Sequence, residues 1–202
     1  MPPSTRNNSG NQGKRATQPP TEEDIRGRAK GRRSEAVSEW YFRLNGFMSI
    51  HNFIVHIDST ISYTNSEGVE IAARTDADLM GVRFPNSREV LNGRPMVDDT
   101  WITRTPEYEE KPLFILVEVK SSLCRINGPW TNPERSNMQR VIRRLGFANS
   151  EAQVEEIADS MYRHARWVGP HVVLQYVCVG GFPRLRGSGS CLPIAAGALL
   201  PF

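Results

Sequence analysis

Residues 113–122 read Leu-Phe-Ile-Leu-Val-Glu-Val-Lys-Ser-Ser (LFILVEVKSS), an unbroken apolar run that ends in two ionisable residues separated by one valine. The apolar run predicts a strand buried on both sides. Side chains alternate along a strand, so Glu118 and Lys120 share a face while Val119 turns to the other. Drawing a carboxylate and an ammonium toward a core is unfavourable unless each finds a partner. A divalent cation is one reason for a strand to end this way.

A second acid-bearing strand lies upstream, in residues 71–84, IAARTDADLMGVRF. Here Asp76 and Asp78 share a face, and Leu79-Met80-Gly81-Val82 continues inward. Laid beside residues 113–122, this segment would bring Asp78 and Glu118 together at one end of a sheet. Two carboxylates there make a hard oxygen site suited to Mg²⁺ or Mn²⁺, with water and a substrate phosphate completing the shell. Lys120 would stand beside the attacking water, where it could orient or deprotonate it and offset charge growing on phosphorus. A bare Glu-x-Lys is common on composition alone. Its weight here comes from context: it closes a buried strand, follows an acid-bearing one, and precedes a helix that carries Gln139.

The remaining elements follow from periodicity. SEAVSEWYFRLNGF (34–47) predicts a helix capped by Ser34, with Val37, Trp40, Tyr41 and Leu44 at helical spacing and Gly46 as the stop. FMSIHNFIVHID (47–58) reads as a strand and SYTNSEGVE (62–70) as a hairpin connection. Residues 85–112 hold four prolines and predict a long loop with one short helix. After the 113–122 strand, SSLCRINGPWTNP is a loop. ERSNMQRVIRRLGF predicts a helix with Met138, Val141, Ile142 and Leu145 on one stripe. SEAQVEEIADSMYRHARWVG predicts another, and HVVLQYVCVGG a final strand. The order is α-β-β-β-α-α-β, a sheet with helices packed on it. The division expected is a disordered basic tail over 1–34, a domain over 35–182 and an irregular C-terminal tail over 183–202.

On these residues the chain resembles the PD-(D/E)xK, or restriction-endonuclease-like, nuclease superfamily, over roughly residues 35–180. The resemblance implies an α/β fold, a restriction-endonuclease-like mixed β-sheet core flanked by helices in α-β-β-β-α-β order. It places the superfamily aspartate at Asp78 in TDADLMGV and the ExK motif at Glu118-Val119-Lys120. The first-helix glutamate of many members maps to Glu35, with Glu39 one turn later as its rival, and the helix-borne glutamine of several branches maps to Gln139. The activity implied is Mg²⁺- or Mn²⁺-dependent hydrolysis of phosphodiester bonds in nucleic acid, DNA first, leaving a 5′-phosphate and a 3′-hydroxyl. In that scheme Asp78, Glu118 and Glu35 ligate the metal, Lys120 positions water, Gln139 orients a ligand or backbone, and Asp76 stands behind the ligands. A homodimer is admitted beside a monomer.

Charge is unevenly spread. Eight of the 25 Lys/Arg lie in residues 1–34 against three acids, leaving 17 basic and 19 acidic residues in the body. The basic balance therefore belongs to the N-terminal segment, either as a solvated tail or as an arm that holds phosphates. Cys124, Cys178 and Cys191 lack CxxC spacing and leave one over, which predicts no disulfide framework and a reducing, cytoplasmic setting. Cys124 reads as a small buried residue. No secretory h-region or membrane-spanning run is present. His51, His56, His164 and His171 read as satisfied or exposed rather than as ligands. Arg140, Arg143, Arg144, Arg163 and Arg166 read as solvated helix sides, with a phosphate clamp as the alternative. Trp40, Tyr41 and Phe42 read as core. The alternative to an enzyme is a catalytically inactive nuclease-fold protein that serves as a binding or scaffold module.

Overall fold

The computed structural model describes residues 21–64, 70–105, 107–124, 128–181 and 191–193; at 55–64, 70–75, 123, 128–129, 181 and 191–193 the description is of the backbone alone. The first helix starts earlier than Ser34. Thr21 caps it: the Thr21 hydroxyl accepts from the Asp24 N–H, and the Asp24 carboxylate accepts from the Thr21 N–H. Three acids in the first turn complement the helix dipole, so α1 runs from Glu22 to Leu44. Ser34 sits inside it and donates to the Lys30 carbonyl instead of capping. Residues 1–20, the rest of the expected tail, lie outside the described residues.

Two long strands follow, β1 (Met48–Thr64) and β2 (Glu70–Arg83), paired antiparallel; the expected hairpin tip at 65–69 lies outside the described residues. The proline-rich segment folds as a small ribbon, β3 (Val90–Leu91) with β4 (Arg94–Pro95), and a one-turn helix α2 (Thr100–Thr103). Then come β5 (Leu113–Leu123), α3 (Gly128–Thr131), a 3-10 turn at Pro133–Arg135, α4 (Asn137–Leu145) and α5 (Glu151–His164). The chain closes its described part with β6 (Arg166–Val168), β7 (Val173–Gly181) and β8 (Cys191–Pro193). Of the expected C-terminal tail, only β8 is described.

The strands form one mixed sheet in the order β1-β2-β5-β7-β6, with β8 beside β7. β2 and β5 are antiparallel, β5 and β7 parallel, β6 and β7 antiparallel. Parallel neighbours need a crossover, and α4 and α5 supply it. Helices cover both faces. Leu113, Ile115 and Val117 of β5 meet Phe42 of α1, Ile102 of α2, and Val173, Val177 and Val179 on one face. Leu116, Leu174 and Tyr176 meet Met138, Val141 and Ile142 of α4 and Val154, Ile157 and Met161 of α5 on the other. Strand alternation assigns these sides, and each fully buried aliphatic contributes about 1.5–3 kcal/mol. That run of burial is what lets β5 carry charge at its end.

Two expectations are corrected. The buried stripe of α1 is Ser38 and Phe42, while Val37 and Trp40 are exposed. Trp40-Tyr41-Phe42 spreads over about 200° of the helix, so its apolar residues do not by themselves select a face. β6 was absent from the expected order because Ala165, in the left-handed region at φ 55°, ends α5 four residues before Gly169 and turns the chain back onto β7.

Gly46 does stop α1, at φ 79°, and a Cβ there would stand 2.5 Å from the Ser87 carbonyl oxygen. Ser87 also donates its hydroxyl to the Gly46 carbonyl. Gly46→Ala is therefore expected to cost about 1–3 kcal/mol, read as a lower urea midpoint with an unchanged m-value.

Candidate metal-and-phosphate site

The β2–β5 ladder runs from Arg83↔Leu113 to Leu79↔Val117. Asp78 and Glu118 are the residues just beyond its last pair, Leu79↔Val117. At this point the pairing changes character: the Val119 N–H donates to Asp78 Oδ2 at 2.6 Å, so a carboxylate takes a main-chain donor at the strand end. Glu118 is 4 % exposed, beyond Leu116 on the α4–α5 side of the sheet. The Lys120 ammonium donates to Glu118 Oε1, and its own side chain is partly open to water. The charges that the opening segment carries are thus paired with each other, beside the acids of the neighbouring strand.

Burial pushes the Glu118 carboxyl above its ordinary range; Lys120 pulls it back by hydrogen bond and charge, while Asp78 and Asp76 add to the rise. Three carboxylates and one ammonium therefore act on one another at a single strand end. The rise makes a prediction about stability. A carboxyl with a raised native pKa holds its proton more tightly when folded, so stability is greatest below the unfolded value and falls as pH climbs through the native one. Glu118→Gln removes that fall. With divalent ions chelated, the variant should melt above the parent at pH 7 and converge with it by about pH 4. A variant that melts below the parent at pH 7 would mean that the Lys120 pair outweighs burial.

The other expected site residues are placed differently. Glu35 is half-buried on α1, the helix that covers the opposite face of the sheet, and among the described residues no hydrogen bond or ion pair joins it to Asp78 or Glu118. Its rival Glu39 has Oε1 2.9 Å from His51 Nε2, out of hydrogen-bond alignment. Gln139 is buried on α4 with both ends of its amide engaged: Nε2 donates to Glu155 Oε2 and Oε1 accepts from the Tyr162 hydroxyl, each at 3.0 Å. Tyr162 in turn accepts from the Met138 N–H. Gln139 therefore ties α4 to α5. Sequence spacing could not show this, because Glu155 and Tyr162 are supplied by another helix.

The arginines are likewise engaged within the fold. Arg143 pairs with Glu151, Arg163 with Asp159 and Arg166 with Glu107, while Arg140 donates to Asn137 Oδ1. Arg143 and Arg163 agree with solvated helix sides, whereas Arg166 is corrected: it is half-buried and opens β6 instead of lying on a helix. The cysteine expectation is corrected: Cys124 and Cys178 are bonded to each other, with Cα atoms 6.0 Å apart. The parallel β5–β7 register sets Cys178 beside Glu118, and a separation of 54 residues hides that neighbourhood in the sequence. The cysteine count thus no longer argues for a reducing compartment.

No protein-family model matches the chain, and neither does any curated protein or solved structure. Among the described residues, no helix is long and apolar enough to cross a membrane. Nor, among them, do three or more His, Cys, Asp or Glu residues form a group arranged to hold a metal ion.

The donor chemistry nevertheless fits a hard cation in part. Glu118, its carboxyl pushed up by burial and by neighbouring anions, is a group that a positive charge would relieve, and Asp78 Oδ1 is the second oxygen at the same strand end. Two carboxylates with water and phosphate make the kind of set that Mg²⁺ accepts.

Proposed function

We propose that this chain is a metal-dependent phosphodiesterase of restriction-endonuclease-like fold that hydrolyses nucleic acid, DNA in the first instance. The observation that carries the reading is the meeting of Asp78, Glu118 and Lys120 at the end of the β2–β5 ladder, with Glu118 buried and bonded to Lys120. Asp78 and Glu118 would hold Mg²⁺ or Mn²⁺, which supplies charge neutralisation for the phosphate and a more acidic water. The chain's own groups do the remaining work. The Val119 N–H holds the Asp78 carboxylate through one oxygen, and the other oxygen is the one that would meet the ion. Lys120, attached two residues beyond Glu118 on the same strand face, points its ammonium at the same carboxylate; once Glu118 is engaged elsewhere, that ammonium can orient water and offset charge developing on the phosphoryl oxygens. Glu35 and Gln139 are left out of this scheme.

The test is cleavage of supercoiled plasmid and end-labelled oligonucleotides with Mg²⁺, with Mn²⁺ and with chelator. Metal-dependent nicking with 5′-phosphate products supports the reading. A folded protein that leaves both substrates intact with either ion removes it. A second reading, a nuclease-fold module without turnover, draws on the two-carboxylate donor set and on the engagement of Gln139 with α5. Calorimetric titration with Mn²⁺ separates them, since such a module would neither bind the ion at Asp78 and Glu118 nor cut.

A further inference from the structure

The N-terminal half of α1 has no place in that chemistry, yet its direction is informative. α1 and β1 are joined by only three residues, 45–47, and Glu39 meets His51 across the turn. The helix therefore runs antiparallel to β1. His51 is the register partner of Leu79, the residue next to Asp78. Followed from Leu44 back toward Glu22, α1 thus travels from the Arg83–Leu113 end of the sheet to the Asp78–Glu118 end. Residues 22–33 lie beyond Ser34 in that direction and, at about 1.5 Å per residue, extend on the order of 18 Å past it.

This extension is basic and exposed. Arg26, Arg28, Lys30, Arg32 and Arg33 are all exposed. Arg26, Lys30 and Arg33 recur at spacings of four and three and so form one stripe. The same stripe continues at four and three through Val37 to Trp40, which is 56 % exposed. The Arg26–Glu22 pair, at 3.2 Å, lies in open water and yields readily to another anion. Within residues 22–33 only Ile25 and Ala29 are apolar, apart from glycine, so the segment lacks the continuous apolar face that a membrane-surface helix buries. Regular cationic spacing along a rod, ended by an exposed indole, matches a polyanion that also offers aromatic faces.

We infer that α1 is a nucleic-acid-binding arm, in which Arg26, Lys30 and Arg33 hold the phosphodiester backbone and Trp40 stacks on an unpaired base as the strand approaches the Asp78–Glu118 end of the sheet. The inference rests on the proposed nuclease reading for the direction of the strand, but binding itself needs neither metal nor turnover.

The experiment is fluorescence anisotropy of labelled single-stranded and duplex oligonucleotides on the full chain, in chelator, over a range of salt. The parent should bind with an affinity that falls linearly as salt rises on logarithmic axes. The triple variant Arg26→Ala/Lys30→Ala/Arg33→Ala should lower that slope by roughly 2–3, and Arg26→Lys/Arg33→Lys should keep it. Trp40→Ala should weaken single-strand binding by roughly 10-fold with the slope unchanged, and leave duplex binding alone. Circular dichroism checks that each variant is folded. A triple variant with the parent's affinity and slope overturns the arm, as does a parent that binds phosphatidylserine vesicles but neither oligonucleotide. The two proposals fail separately. A parent that binds through the arm and never cuts loses only the nuclease reading. One that cuts while the triple variant binds unchanged loses only the arm.

Discussion

Lys120→Ala is expected, on the proposed nuclease reading, to slow metal-dependent phosphodiester cleavage by roughly 10²–10⁴-fold while the protein stays folded. The size follows from position. The ammonium sits at the end of β5 with its side chain partly in water and bonded to the buried Glu118 carboxylate. Little packing is lost on truncation, and Glu118, once the ammonium is removed, can take up a proton instead of remaining a buried anion. Asp78→Asn gives the matching control. Asparagine keeps an oxygen for the Val119 N–H, so the strand end is preserved, but it removes the charge that a divalent ion needs. A loss in the same range is expected, together with loss of any rise in Tm that bound Mn²⁺ is expected to give the parent. Rates are read from initial nicking of plasmid at saturating metal. If either variant cuts as fast as the parent, the assigned chemistry is wrong.

Arg83→Met is expected to destabilise the fold by about 3–5 kcal/mol, the cost of taking from a buried carboxylate its nearer cation. Arg83 is 2 % exposed at the other end of the β2–β5 ladder from Asp78. Its Nη2 donates to Asp98 Oδ2 at 2.8 Å, its Nε donates to the Asn45 carbonyl, and its guanidinium lies over the Tyr108 ring. Asn45 Oδ1 also accepts from the Asp99 N–H. One arginine thus fastens the proline-rich segment to the α1–β1 turn. Adding Asp98→Leu to Arg83→Met removes the buried carboxylate that would otherwise be left with only Arg88, 3.9 Å away, and should recover a large share of the loss; a double-mutant cycle in urea measures that coupling. If Arg83→Met unfolds at the parent's midpoint, the pair does not hold this end of the sheet. Catalytic variants at one end and stability variants at the other should be close to additive.

The strands and the two large C-terminal helices were legible because their signals are local. Residues 113–117 are apolar without a break, and all but Phe114 lie buried in β5, while Met138, Val141 and Ile142 recur at helical spacing and lie buried on α4. Alternation alone put Glu118 and Lys120 on one face, and in the fold they touch. Ambiguity began where a residue's surroundings come from elsewhere in the chain. Trp40, Tyr41 and Phe42 are all bulky, and only the sheet beneath α1 decides that Phe42 goes inward and Trp40 outward. Arg83 carried no signal for burial, because its acceptors are on Asn45 and Asp98, far away in sequence.

The sequence by itself determined the long strands β1, β2, β5 and β7, the helices α4 and α5, their order along the chain, and the alternation that puts Glu118 and Lys120 on one face, because backbone periodicity is a property of neighbours a few residues apart. Only the tertiary structure decided which groups meet. Strand register set Cys178 beside Glu118, the Asp78 carboxylate took the Val119 N–H past the end of the β2–β5 ladder, helix packing turned Gln139 toward Glu155 and Tyr162, and coverage of the two sheet faces by different helices put α1, with Glu35, on the face away from α4 and α5. Those outcomes depend on burial and pairing across tens of residues, a free-energy balance that no local stretch of chain contains.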